Sequence, residues 1–257
     1  MDDSAPALQA HKPWIPLLVS VVLMLGLGSL VSWQLQTLRS NNEAEQEQRF
    51  ALEVAGIEQS VRERMLAYEM VLRGMSGLVT GSSQVSHEEW RRASEQLLLQ
   101  ERYPGIQALS WNVYLHAPDM ESFIRSARAD GRPEFQAFPP GERDDYLIVN
   151  FISPLDWRNR RAVGFDMYTE TTRRQAIGQA RDSGEVVLTG PLRLRQETEQ
   201  DVQTGLLLYL PVFRHDLPQT SVEERRAALL GMVAGTFRVT DLMRGILGSR
   251  SELFSIG

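Results

Sequence analysis

Side chains able to carry acid–base, nucleophilic or metal chemistry are few and scattered. None of the four histidines, His11, His87, His116 and His215, forms an HExxH motif or a close pair with a carboxylate. Cysteine is absent, which excludes disulfides, thiol catalysis and Cys-ligated metals. Gly74-Met75-Ser76-Gly77 lies in helical sequence and lacks the strand–turn–helix setting of a nucleophile elbow. Gly26-Leu27-Gly28 sits in an apolar run and is no phosphate loop. Asp144-Asp145 reads as a solvated loop pair. Arg158, Arg160 and Arg161 read as a charged turn, with an anion or lipid headgroup as the functional alternative. No residues meet the requirement for a nucleophile, a base and a group to orient it. The expectation is no catalysis, no metal and no cofactor in this segment.

What remains is binding, and the stretch built for it is 162–213. Residues 163–167 are apolar and end at a cap candidate, Thr169 or Thr171. Arg173 to Arg181 has helical composition and stops at Ser183-Gly184. Residues 186–189 and 206–210 are two more strand candidates, with a charged, Gln-rich turn between them. A small sheet with one helix over it is how a pocket is made.

The chain has 257 residues, 42% hydrophobic and 23% charged, enough for one or two packed domains. A net charge of −6 argues against nonspecific nucleic-acid binding. Residues 14–35 carry no charge, match the length of a bilayer core and have Trp14 and Trp33 near the ends. The run is longer than a signal-peptide core and no small-x-small cleavage site follows, so the expectation is an uncleaved anchor. Lys12 before it places 1–13 in the cytoplasm, although Arg39 beyond it nearly balances the bias.

From 36 to about 80 there is no proline, and Val54, Ile57, Val61, Tyr68, Val71, Met75 and Leu78 recur in steps of three and four, with Arg64 in the missing step. That predicts a helix roughly 60 Å long. Its stripe serves either as a dimer seam or as the face laid against its own domain. Ser86 with Glu89 forms a capping box for a helix running through Trp90 to Arg102. Strands are expected at 106–115, 146–152, 229–239 and 252–256, and helices at 120–129, 222–228 and 242–247, the last capped by Thr240-Asp241. The class is α+β.

Tyr103-Pro104-Gly105-Ile106, Phe165-Asp166, Ala180-Arg181-Asp182-Ser183-Gly184, Val187-Leu188-Thr189-Gly190-Pro191 and the run from Gly205 to Phe213 together resemble the CHASE domain, the extracellular sensory domain of transmembrane histidine kinases and nucleotide cyclases. The resemblance covers roughly 80–245. It implies two PAS-like modules after the stalk: a distal, ligand-binding one, assigned to 81–215, and a proximal one beginning at 216 and cut off at 257. It further implies a second membrane span after Gly257 and a cytoplasmic output domain, either a cyclic-di-GMP enzyme or a histidine kinase.

In the plant cytokinin receptors of this family, a helix aspartate holds the adenine and a strand threonine lies against it. Those positions fall at Arg173 and Tyr209 here, so the resemblance does not extend to that ligand. If Arg173 faces the pocket it favours a carboxylate or phosphate; the alternative puts it, like Arg174, on the outer face of its helix. The candidate ligand-binding set is Phe165, Met167, Arg173, Thr189, Leu192 and Tyr209, with plain sheet packing the other reading of Thr189 and Tyr209. The expected whole is a periplasmic sensor anchored in a bacterial inner membrane and dimerised through the stalk. The competing reading is a membrane-anchored protein-interaction module without a small ligand.

Overall fold

The computed structural model describes residues 14–82, 84–199 and 202–248. The expected N-terminal segment 1–13 and the expected strand at 252–256 lie outside the described residues. The chain divides into two compact units, residues 1–58 and 59–257.

The first unit consists, where described, of the opening part of one helix, α1 (Trp14–Gly81). Leu17, Met24, Leu25 and Trp33 among others are exposed along the apolar run. Among the described residues no helix is long and apolar enough to cross a membrane. Within the run 14–35, the side chains at 14–16, 19 and 35 lie outside the described set.

The second unit begins with the rest of α1, which ends at Gly81 as expected. Helix α2 (His87–Gln96) starts at the Ser86–Glu89 capping box, each residue satisfying the other's backbone N–H. The helix expected to run on to Arg102 is broken: Leu98 adopts φ +50°, and a short α3 (Leu99–Arg102) follows. Then come β1 (Ile106–His116), α4 (Met120–Ala129), β2 (Asp145–Ser153), α5 (Thr171–Ser183), β3 (Val187–Leu188), β4 (Gly205–Phe213), α6 (Val222–Ala228), β5 (Leu229–Arg238) and α7 (Val239–Leu247). Helix α7 follows Arg238 directly, without the side-chain cap expected from Thr240-Asp241.

The strands form one antiparallel sheet in the order β2-β1-β5-β4-β3. This corrects the division at 215/216. Strand β5 hydrogen-bonds to β1 on one side and β4 on the other, so 229–238 is the middle of the first module and cannot open a second.

The sheet is covered on both faces, and the period-two rule sorts its side chains. Leu208, Leu210 and Val212 of β4 join Tyr68, Val71, Leu72 and Met75 of α1 in one cluster. Leu207 and Tyr209, on the other face, join Ala176, Ile177 and Ala180 of α5. A bulge in β2 at Asn150, opposite the Trp111–Asn112 step, shifts the alternation: Leu147 and Val149 face α5 whereas Phe151 faces α1. The helical stripe thus divides. From Tyr68 to Val79 it is buried against its own sheet, where each large aliphatic side chain contributes about 1.5–3 kcal/mol. Val54 is exposed.

Candidate functional site

Helix α5 buries one stripe, Arg173, Ala176, Ile177 and Ala180, at the i, i+3, i+4, i+7 spacing of a core-facing helix. Arg173 occupies the first place in that stripe and is 2% exposed, while its neighbour Arg174 is exposed and donates from Nε to the Tyr168 carbonyl. The inward reading of Arg173 is therefore the one the fold adopts. The helix is capped by Glu170, not by Thr169 or Thr171. Its carboxylate accepts from the Thr172 and Arg173 backbone N–H groups at 3.0 and 2.9 Å. Burial works against this charge, but the two N–H bonds and the Arg173 charge hold its pKa below the ordinary carboxylate value.

Arg173 opens onto a cavity of about 550 Å³. Phe165 and Pro139 form apolar wall; Arg161, Arg193 and Arg195 add three further guanidinium-bearing side chains; Glu170 and Glu197 are the acidic residues of the lining. Phe165 is not on a strand, as expected for 163–167. It is held by isolated bridges, Phe138 to Phe165 and Ile148 to Asp166, with a 3₁₀ turn at Met167–Thr169. Gly164 makes this possible: its φ is +83°, and a Cβ there would collide with the Gln136 carbonyl. The Asp166 carboxylate fixes the next step by accepting from the Leu147 and Tyr168 N–H groups.

The charges do not balance. Glu170 is engaged as the cap. Glu197 is buried and pairs with Arg238 at 2.8 Å, and it also accepts from the Gln203 N–H. Arg173 donates from Nη2 to the Arg193 carbonyl at 3.3 Å and lies 5.2 Å from the Phe165 ring centroid. Its Nε is buried with no hydrogen-bond partner. Burial pulls its pKa below the ordinary guanidinium value. A buried cation without a carboxylate partner is costly, and a ligand anion would offset that cost.

Of the expected residues, then, Phe165 and Arg173 line the cavity. Met167 and Tyr209 lie in the adjoining core, the Tyr209 hydroxyl 3.5 Å from the Met167 sulfur. Burial pushes the Tyr209 hydroxyl well above its usual pKa, so it stays protonated. Thr189 and Leu192 are not in the cavity. Thr189 extends the β3–β4 pairing, its N–H donating to the Leu207 carbonyl and its Oγ1 accepting from the Leu207 N–H. Leu192 bridges to Gly205 through both backbone groups. Arg193 and Arg195 belong to what read as a charged turn; their alternation with Leu192 and Leu194 was the available signal.

A larger cavity, about 640 Å³, opens between β2 and the segment 131–136. None of the six candidate ligand-binding residues lines it; its Arg132 also has a buried Nε without a partner, but that guanidinium, unlike Arg173, has an ion pair, to Asp130, and bonds to the Asn150 carbonyl and side chain. His116, expected to stand apart from carboxylates, pairs with Asp145 at 2.7 Å because β1 and β2 place them opposite each other. The pair is largely exposed. Among the described residues no group of three His, Asp or Glu side chains could hold a metal.

The second unit is thus a mixed α+β domain with both faces of one antiparallel sheet covered and a charged cavity beside α5. The chain belongs to the CHASE family, whose model, CHASE domain, matches residues 83–256. Curated relatives include three proteins of Oryza sativa subsp. japonica. Probable histidine kinase 4 is 38% identical over 33% of this chain and 8% of its own length. Probable histidine kinase 5 is 28% identical over 59% of this chain and 12% of its own. Probable histidine kinase 6 is 34% identical over 44% of this chain and 11% of its own. The matched stretches therefore span about a tenth of these relatives. Among solved structures, the chain is similar to the ligand-binding domain of the amino-acid chemoreceptor PctC of Pseudomonas aeruginosa PAO1 in complex with GABA. That match has a TM-score of 0.42 and 14% identity over 74% of this chain and 64% of that one. An extracellular ligand-binding receptor from Desulfohalobium retbaense matches with a TM-score of 0.42 and 10% identity, over 75% of this chain and 26% of that one.

Proposed function

We propose that this chain is the extracytoplasmic sensing part of a membrane-anchored receptor, and that it binds a small anionic molecule in the cavity at Arg173. One observation carries the reading: a buried guanidinium with an unpartnered Nε faces a cavity whose carboxylates are already engaged. Where the cytokinin receptors carry an aspartate that accepts from the adenine amine, this chain has Arg173, which only donates. The sheet order, with the first and last strands paired in the middle, supports treating the module as PAS-like.

The anchor is the run 14–35. Its support is the absence of charge and the exposure of its described apolar side chains, a surface water would penalise and lipid would not. Positions 1–13 are cytoplasmic on this reading and the sensor faces the periplasm. Val54, Ile57 and Val61, which precede the packed part of α1, are where a second copy would pair. Signalling requires only that the ligand bind one arrangement of that dimer better than the other. The names of the curated relatives favour a histidine kinase as output over a cyclic-di-GMP enzyme.

The test is titration calorimetry on the whole chain in nanodiscs, with carboxylates and phosphate set against amines and neutral sugars. Anions are expected to bind, and Arg173→Gln to abolish the heat. Binding by amines or sugars alone would sink the proposal.

A further inference from the structure

We infer that the ligand carries two anionic groups on a short spacer, as in a short-chain dicarboxylate. The inference rests on the anion reading above and concerns two of the four guanidinium-bearing side chains of the lining, the two that lie over one ring. Arg173 and Arg195 flank the same ring: their guanidinium carbons lie 5.2 and 4.9 Å from the Phe165 centroid, so they are at most about 10 Å apart. The charge of Arg195 is close enough to oppose that of Arg173. No carboxylate of the lining lies free to separate them, because Glu170 caps α5 and Glu197 serves Arg238.

One carboxylate that forks Arg173 leaves the exposed Arg195 guanidinium to water. Two carboxylates joined by two or three methylenes can reach both guanidiniums across a gap of at most about 10 Å, each making its own forked pair. Both cations are also held in place before a ligand arrives. Arg173 is buried and tied to the Arg193 carbonyl; Arg195, though exposed, lies over Phe138 at 5.6 Å as well as over Phe165. Prior placement lowers the ordering cost of binding at both ends. Phe165 and Leu194 supply apolar wall for the spacer.

The experiment compares succinate and glutarate with the monoamide of each, and with butyrate, by calorimetry on the whole chain in nanodiscs. The monoamide keeps the shape and removes one charge. A diacid is expected to bind at least about tenfold more tightly than its monoamide, the scale of one charge-assisted pair. Arg195→Gln, at an exposed position, is expected to bring the diacid down to the monoamide's affinity while leaving the monoamide within about twofold, since that variant alters only the second contact. Equal affinity of diacid and monoamide, or binding of inorganic phosphate alone, would overturn the two-charge inference and leave the anion reading standing. No binding by any anion would remove both.

Discussion

Replacing Arg173 by methionine separates what this residue does for the fold from what it does for a ligand. The side chain is buried and its Nε has no hydrogen-bond partner; no carboxylate forms an ion pair with it, although the nearby Glu170 charge and the Tyr209 hydroxyl favour the guanidinium. Removing a charge from water costs several kcal/mol even after relaxation. The Arg195 charge, within about 10 Å, adds a repulsion that water screens, because Arg195 is exposed. Against this stand one long hydrogen bond to the Arg193 carbonyl and the contact with Phe165, worth about 1–3 and 0.5–2 kcal/mol, together with the Tyr209 hydroxyl and the Glu170 charge, which offset the Arg195 charge. Methionine fills similar space among Met167, Ala176 and Ile177, and the Glu170 cap survives because it uses the backbone N–H of residue 173. The unliganded Arg173→Met domain is therefore expected to be about 1–3 kcal/mol more stable, the range seen when buried charges are replaced by apolar groups. At about 2–4 °C per kcal/mol for a domain of this size, the melting temperature rises by roughly 2–12 °C. Anions at a hundredfold over Kd should add about 2.7 kcal/mol to the native protein and nothing to the variant. Calorimetric melting with and without ligand reads both effects. A variant that melts lower, or that keeps the anion-induced shift, would refute the assignment of Arg173 as a strained ligand contact.

Two further outcomes test the fold. Leu72→Ala should destabilise residues 59–257 by about 2–5 kcal/mol, because Leu72 is wholly buried between α1 and the sheet. Val54→Ala should change that unit by less than about 0.5 kcal/mol; equal effects in chemical denaturation would mean that the stripe is not divided as described. Asp182 accepts from Arg226 at 2.9 and 2.6 Å and from Arg181 at 2.7 Å, and these bonds hold its pKa below the unfolded carboxylate value. Its contribution is thus complete above about pH 4 and is lost as pH falls through the lower, folded pKa. Asp182→Asn should cost at most about 1 kcal/mol at pH 7, since half-exposed Arg226 is screened by water. The gap between the two proteins should close on acidification, and a gap unchanged down to pH 2 would contradict the pairing.

Local signals were sufficient where one stretch of chain decides its own structure. The Ser86–Glu89 box and the stop at Gly184 each satisfy their backbone within a few residues, and the apolar run 206–210 is a strand as its composition suggested. Arg173 was left open between the two faces of its helix, although its i, i+3, i+4, i+7 relation to Ala176, Ile177 and Ala180 was a signal for the inner one. Thr189 and Leu192 were misplaced because strand periodicity does not say whether a residue near a sheet edge faces a cavity or completes a ladder. The 163–167 segment is apolar like a strand, yet Gly164 turns it out of the sheet through contact with the distant Gln136 carbonyl.

Composition and order along the chain by themselves determined the α+β class, the uncharged run at 14–35 and the long helix. These depend on length, periodicity and residue type, which are properties of the chain as written. Only the tertiary structure decided that β5 belongs in the middle of the sheet and that Arg161, Arg173, Arg193 and Arg195 share one cavity. It alone decided that the nearby carboxylates of Glu170 and Glu197 are engaged elsewhere. Those facts turn on which distant groups meet and which charges are already compensated, and burial makes an uncompensated charge count.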